Sequence, residues 1–233
     1  MTVAIIGHRG VPSETPENSL AGIRLAAELD LDGVEIDVRL SLDGVPMVVH
    51  DWSLGRLTRW FGPVRFYPSF LLKRLRLRGS DERIPTLVEA LRGMPDNLSY
   101  AIEVKDAAAA GPTIAAVAAL GLERRVLLWS HHERAVETFA REAPGVEAAL
   151  LRGGYDGEAL SRALADAERL GARGINIDWR GVTAAFVAEA HDRRLRVYSS
   201  DLELDTLGEK VAAGLDGIVT ERPREVLAAL GRG

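Results

Sequence analysis

Short apolar runs recur along the chain, separated by longer stretches whose apolar positions repeat with helical spacing. Side chains on a strand alternate between two faces, whereas an amphipathic helix returns to its apolar face every three or four residues. On that basis strands are expected at Val3–Gly7, Gly33–Val38, Ser99–Val104, Arg125–Trp129, Val146–Leu150, Gly174–Ile177, Leu195–Ser199 and Gly217–Val219. Helical spacing follows near Glu17–Leu29, Thr86–Arg92, Pro112–Leu120, Glu133–Glu142, Gly157–Leu170, Thr183–Arg193, Leu204–Ala213 and Arg222–Leu230. Eight βα units in 233 residues predict the α/β class and a closed (β/α)8 TIM barrel, forming one domain over residues 1–233. The competing open, doubly wound sheet lacks its usual phosphate loop, because the first strand runs into Gly7-His8-Arg9-Gly10 instead of G-x-G-x-x-G.

The regularity breaks between Leu40 and Arg83. A hairpin is expected from Leu42 to His50, with Asp43-Gly44 at its turn. An aromatic and basic stretch follows, in which Trp60, Phe61, Phe66, Tyr67 and Phe70 sit among Arg59, Arg65, Lys73, Arg74, Arg76 and Arg78. A small hairpin and loop inserted after the second strand of a barrel lies over the catalytic mouth. Packing against the barrel rim is the expected use of these rings. The alternative is a flap that accepts an acyl chain or touches a membrane surface.

Composition narrows the partners. A net charge of −5 gives no general attraction to nucleic acid or anionic lipid. The absence of cysteine excludes disulfides, thiolate metal sites and a cysteine nucleophile, and fits a reducing compartment. The first strand begins at once, without a basic leader or cleavage site, and the apolar segment 107–122 is broken by Gly111 and Pro112. A soluble, cytoplasmic protein without stable membrane insertion is therefore expected.

Candidate chemistry begins in Gly33-Val34-Glu35-Ile36-Asp37-Val38, where Glu35 and Asp37 share one face of the strand and three apolar side chains share the other. Neighbouring carboxylates resist burial unless a cation or protons compensate them. The third strand repeats the arrangement with Glu103 and Lys105. Either these faces are solvated, or Glu35, Asp37 and Glu103 hold one divalent cation. Residues at the C-terminal strand ends of a barrel converge on one mouth, which favours the metal. An all-oxygen site suits Mg2+ or Ca2+, with Mn2+ also admissible. Arg9 and Lys105 add positive charge suited to a phosphate, and His8 and His50 have side chains whose ordinary pKa suits proton transfer near neutrality. Together they describe phosphodiester hydrolysis or phosphoryl transfer on a small-molecule substrate. A Schiff-base role for Lys105 is the remote alternative, since it leaves three acids without a task.

The ordered motifs His8-Arg9-Gly10, Pro16-Glu17-Asn18-Ser19, Glu35-x-Asp37, Asp43-Gly44, His50-Asp51, Ile84-Pro85-Thr86-Leu87 and Ile102-Glu103-Val104-Lys105 resemble those of the glycerophosphodiester phosphodiesterase family. The closing segment Asp216-Gly217-Ile218-Val219-Thr220-Glu221-Arg222-Pro223 is similar to that family's last motif. The resemblance implies a barrel enzyme that uses a divalent cation to cleave glycerophosphodiesters to sn-glycerol 3-phosphate and an alcohol. It places Glu35, Asp37 and Glu103 on metal-ligand positions, His8 and His50 on the acid–base pair, and Arg9 and Lys105 on phosphate-contacting positions. Glu17 and Asn18 are expected to organise their loop.

The C-terminal half departs from the family pattern. Ser130 is followed by His131, Glu221 replaces an aspartate, and Val197-Tyr198-Ser199-Ser200-Asp201 replaces a segment that usually reads Trp-Thr-Val-Asn after its valine. Being at strand ends, these residues are expected to shape the substrate pocket, with Tyr198 as a substrate contact. A lysophospholipase D-type activity and a non-catalytic glycerophosphodiester-binding barrel are the alternatives to hydrolysis of small diesters.

Overall fold

The computed structural model describes residues 3–93, 95–200 and 203–232. Its strands are β1 (Ala4–Gly7), β2 (Gly33–Leu40), β3 (Pro46–Val48), β4 (Ser99–Val104), β5 (Val126–Ser130), β6 (Glu147–Leu151), β7 (Gly174–Asp178), β8 (Arg196–Ser200) and β9 (Gly217–Thr220). All but β3 run parallel and close into an eight-stranded barrel, β1 pairing with both β9 and β2. Helices α1 (Leu20–Glu28), α2 (Ser69–Leu72), α3 (Leu87–Arg92), α4 (Ala110–Ala119), α5 (Glu133–Glu142), α6 (Gly157–Arg169), α7 (Ala184–Asp192), α8 (Leu207–Ala212) and α9 (Pro223–Ala229) occur among the described residues. The expected TIM barrel is the observed fold.

Period-two alternation divides the apolar residues into two cores. Val34, Ile36 and Val38 of β2, with Tyr100, Ile102 and Val104 of β4, face the helices in one large cluster. Ile6, Ala101, Leu127, Trp129, Ala149, Leu151, Tyr198 and Val219 fill the barrel interior. Glu35, Asp37 and Glu103 belong to this inner face, so the alternation that buries valines outside delivers carboxylates inside.

Local chemistry explains where elements start. Helix α1 begins at Leu20, later than the expected Glu17, because Ser19 caps it by accepting a hydrogen bond from the Gly22 N–H at 3.0 Å. Thr86 and Glu89 form a reciprocal capping box at the start of α3, and the Val48 N–H donates to the Pro85 carbonyl at 2.8 Å. That strap ties the β2–β3 hairpin to the barrel. The expected helix 204–213 starts as a 3-10 turn, Leu204–Thr206, before α8.

The insertion between β3 and α3 has a small core of its own, built from Met47, Val49, Leu54, Leu57, Val64, Leu72, Leu75, Leu77 and Ile84. Its aromatics do not all behave as expected. Tyr67 packs on this core, but Trp60, Phe61, Phe66 and Phe70 are exposed. The reading of these four as rim-packing residues is therefore corrected: leucines and valines already fill the space beneath them.

Candidate active site

The β1–α1 loop is built to bring backbone and side chains onto the acids of β2. Gly10 has φ +94 and lies so close to Gly22 of α1 that a Cβ would meet its Cα at 3.0 Å, so the turn requires glycine. Arg9 and Asn18 are both left-handed, with φ of 55 and 56. Such backbone costs about 1 kcal/mol or more for a non-glycine residue and persists only where other contacts hold it. Here the Arg9 N–H donates to Glu35 Oε2 at 3.0 Å, and the Asn18 N–H donates to the Arg9 carbonyl at 2.8 Å. Asn18 then clasps Asp37 from both sides. Its Nδ2 donates to Asp37 Oδ2 at 2.8 Å, and its Oδ1 accepts from the Asp37 N–H at 3.0 Å.

Asp37 and Glu103 are register partners across β2 and β4. Glu35, Asp37 and Glu103 are 1%, 0% and 7% exposed, which removes the solvated-face reading. One oxygen from each lies within 4.8 Å of the others. Lys105 Nζ donates to Glu103 Oε1 at 2.7 Å and stands 3.1 Å from Asp37 Oδ1, while Arg9 Nε is 3.3 Å from Asp37 Oδ2. Burial, with Asp37 and Glu103 adding to it, pushes the Glu35 carboxyl well above the usual range. Burial acts the same way on Asp37, but Lys105, Arg9 and His50 outweigh it and hold that carboxyl low. Burial also works against the Lys105 ammonium, yet Asp37 and Glu103 keep its pKa raised.

The donor set fits a hard divalent cation. Glu35 Oε1 is a buried oxygen that accepts no hydrogen bond and Asp37 Oδ1 is faced only by the Lys105 ammonium at 3.1 Å, and buried carboxylate oxygens seldom stay unpaired without cause. Three oxygen donors at this spacing match magnesium, calcium or manganese and not a sulfur-seeking metal.

His8 follows β1 and His50 follows β3, and each has its Nδ1 held by a carboxylate. His8 Nδ1 lies 3.2 Å from Glu221 Oε1, with Nε2 turned toward Glu35 Oε2 at 3.9 Å. His50 Nδ1 lies 2.8 Å from Asp51 Oδ1. Burial and the charge of Arg9 lower the His8 pKa, against the opposing pull of Asp37 and Glu221. Asp51 is held down to about 2, chiefly by hydrogen bonds from Arg56, whose Nε donates to Asp51 Oδ2 at 2.6 Å. Arg56 also donates to both oxygens of Glu17 at 2.7 Å. One guanidinium thus joins the β1–α1 loop to the insertion. His132 Nε2 is 2.8 Å from the Lys105 carbonyl, and His131 Nε2 reaches to 4.0 Å from Glu103 Oε1.

Sequence reasoning missed the partners Glu221 and Arg56. Only Glu221, beside the final strand, left a trace, as a departure from the family pattern. Tyr198 needs correction as a substrate contact. It points into the barrel, stacks edge-on against Trp129 with centroids 5.7 Å apart, and donates its hydroxyl to Glu147 Oε1 at 2.8 Å. It lines a cavity of about 610 Å3 with Arg125, Glu147 and Arg173, at the end where strands begin, and none of the acids or histidines above lines that cavity. Alternation put Tyr198 on the inner face, but its length carries the hydroxyl down the barrel, away from the mouth. Asp201 of the same segment lies outside the described residues.

Among the described residues no helix is long and apolar enough to cross a membrane. A curated glycerophosphodiester phosphodiesterase from Caldanaerobacter subterraneus subsp. tengcongensis is 26% identical over 246 aligned positions, covering 100% of both chains. Two solved structures share the fold at 24% identity. A putative glycerophosphoryl diester phosphodiesterase from Silicibacter pomeroyi superposes with a TM-score of 0.88, covering 98% of this chain and 93% of the other. A phosphodiesterase from Oleispira antarctica in complex with its product sn-glycerol-3-phosphate gives 0.85, covering 99% and 97%. The family model described as glycerophosphoryl diester phosphodiesterase matches residues 8–225, a span that opens on His8 and contains every acid, cation and histidine of the mouth. Over that length the chain belongs to the glycerophosphoryl diester phosphodiesterase family of enzymes.

Proposed function

We propose that this chain hydrolyses small glycerophosphodiesters, such as glycerophosphocholine or glycerophosphoethanolamine, to sn-glycerol 3-phosphate and the free alcohol. A single divalent cation, Mg2+ or Ca2+ with Mn2+ as a substitute, is held by Glu35, Asp37 and Glu103. The observation that carries this reading is the convergence of three buried carboxylates, one of them with an unpaired oxygen, beside two carboxylate-braced histidines. The product bound in the Oleispira protein supports the same outcome here.

When bound, the cation supplies Lewis-acid polarisation of a phosphoryl oxygen. Arg9 and Lys105 place two further positive charges on the phosphate, where negative charge grows as the bond breaks. His8 is favoured as base: burial and Arg9 hold it neutral, and Glu221 on Nδ1 leaves Nε2 to accept the nucleophile's proton. His50 takes the acid role. Protonated, it donates from Nδ1 to the firmly anionic Asp51 and presents Nε2–H to the departing alkoxide. Asn18 and Arg56 are positioning residues, which fix Asp37 and Asp51.

Release of glycerol 3-phosphate from glycerophosphocholine, lost with chelator and restored by added Mg2+, Ca2+ or Mn2+, is the expected result. Turnover that persists after exhaustive chelation, or tight binding without turnover, would overturn this reading.

A further inference from the structure

Between Trp52 and Ser80 the chain carries seven cationic side chains and no carboxylate, although its net charge is −5. Among the described residues seven large hydrophobic side chains are exposed, and five of them, Trp52, Trp60, Phe61, Phe66 and Phe70, lie in this same stretch. Trp52 is 65% exposed, Phe61 82% and Phe70 61%. Ordinary proteins scatter such side chains singly, and a cluster of them rimmed by charge marks an interaction surface.

The fold uses only part of this set: Trp60 meets Tyr67 edge-on with centroids 5.6 Å apart, and Arg78 donates to the Gly55 carbonyl at 2.9 Å. The insertion is held together by its own leucine and valine core, beneath the exposed rings. Arg56, Lys73 and Arg76 are engaged by Glu17, Glu89 and Asp81, whereas Arg59, Arg65 and Arg74 have no carboxylate partner among the described residues. Instead the Arg65 guanidinium lies 5.3 Å from the Phe66 centroid and that of Arg74 lies 5.9 Å from Phe70, so cation and ring leave the surface side by side. Trp52 comes two residues after His50 and lines, with Arg39, Arg65 and Asp106, a groove of about 200 Å3. The patch therefore adjoins the catalytic mouth.

We propose that the insertion docks the enzyme peripherally on an anionic lipid surface, its exposed phenylalanines at headgroup depth and Arg59, Arg65 and Arg74 against lipid phosphates. Aromatic tips flanked by arginines match the layered chemistry of that interface, with acyl boundary beneath and phosphate above. A water-soluble anion would leave the rings without a role. Three arginines without a carboxylate partner, Arg59, Arg65 and Arg74, also set this stretch apart from the acidic remainder of the molecule, which a negatively charged membrane repels and so turns outward. A glycerophosphodiester is a phospholipid stripped of its acyl chains, so deacylation at a bilayer is the class of reaction that must supply it. This last argument alone rests on the proposed reaction; docking itself is read without turnover, so either can fail without the other.

The test is sedimentation of the full chain with vesicles of phosphatidylcholine alone or mixed with phosphatidylserine, at low and high salt. Association with the mixed vesicles, weakened by salt, is expected. The variant R59Q/R65Q/R74Q should bind them roughly two orders of magnitude more weakly, and F61S/F66S/F70S at least about tenfold more weakly. Both variants should turn over glycerophosphocholine as the parent does, which reports an intact mouth; should the phenylalanine variant misfold, the arginine variant carries the test alone. Absence of wild-type binding at low salt, or variants that bind as the parent does, would overturn the proposal. So would a dimer that both variants dissolve, or preference for single-stranded oligonucleotides over vesicles.

Discussion

Replacing Asn18 tests the claim that this side chain fixes the central acid of the site. Asn18 is buried, takes the left-handed backbone, and makes two hydrogen bonds to Asp37, one to its carboxylate and one from its N–H. Asn18→Gly removes both contacts while tolerating the backbone. A hydrogen bond to a charged group contributes about 1.5–3 kcal/mol, and a buried N–H left without a partner costs about 1–3 kcal/mol. A loss of about 3 kcal/mol is therefore expected, or a fall in Tm of roughly 6–12 °C for a chain of this size. Asn18→Ala loses the same contacts and adds the strain of a Cβ at φ 56, about 1 kcal/mol more. Urea denaturation of both variants and the parent, all in chelator, measures these differences with no cation contributing. A parallel titration of divalent cation against activity should show half-saturation raised about 10–100-fold, the usual effect of losing a group that orients a ligand. If Asn18→Gly matches the parent in both experiments, the clasp does not organise the site.

Ala at either His8 or His50 should lower turnover by about two to four orders of magnitude while leaving the urea midpoint close to the parent's; near-parental turnover in either variant would remove that histidine from proton transfer. Asp51 titrates at about 2 in the folded chain because Arg56 and His50 hold its charge. A carboxyl whose folded pKa lies below its unfolded value of roughly 3.9 stabilises the fold above that value and loses the contribution as pH falls toward the folded pKa. The stability difference between the parent and Asp51→Asn should therefore hold steady near neutrality and narrow between pH 4 and about 2, as urea midpoints across that range would show; a gap that stays constant would mean Asp51 makes no net charge contribution.

The barrel was legible because its strands obey a period of two so strictly. Val34, Ile36 and Val38 on one side forced Glu35 and Asp37 onto the other, and β4 repeated the pattern, so the acids could be paired before any coordinates. What alternation does not give is height along the barrel axis. Glu103 and Tyr198 both face inward, but Glu103 is near the end of its strand, while Tyr198 is midway and reaches back to Glu147. Long side chains also crossed the chain in ways that spacing does not encode. Arg56 joins Glu17 to Asp51 across 39 and 5 residues, and Glu221 reaches His8 from 213 residues away. The exposure of the insertion's rings is hidden from sequence for a related reason: composition reveals that aromatics are present but not that Leu54, Val64 and Leu72 occupy the room beneath them.

The lobe over the mouth folds around apolar residues of its own, yet it is fastened to its surroundings at several points, Val48 to Pro85, Ser69 to Asp43, Lys73 to Glu89 and Arg56 to Glu17. Its exposed phenylalanines stand outside that apolar core, whose leucines and valines fill the interior without them. The outer surface of the lobe can thus vary without disturbing its interior, while His50 and Asp51 at its base stay tied to Arg39 and Arg56.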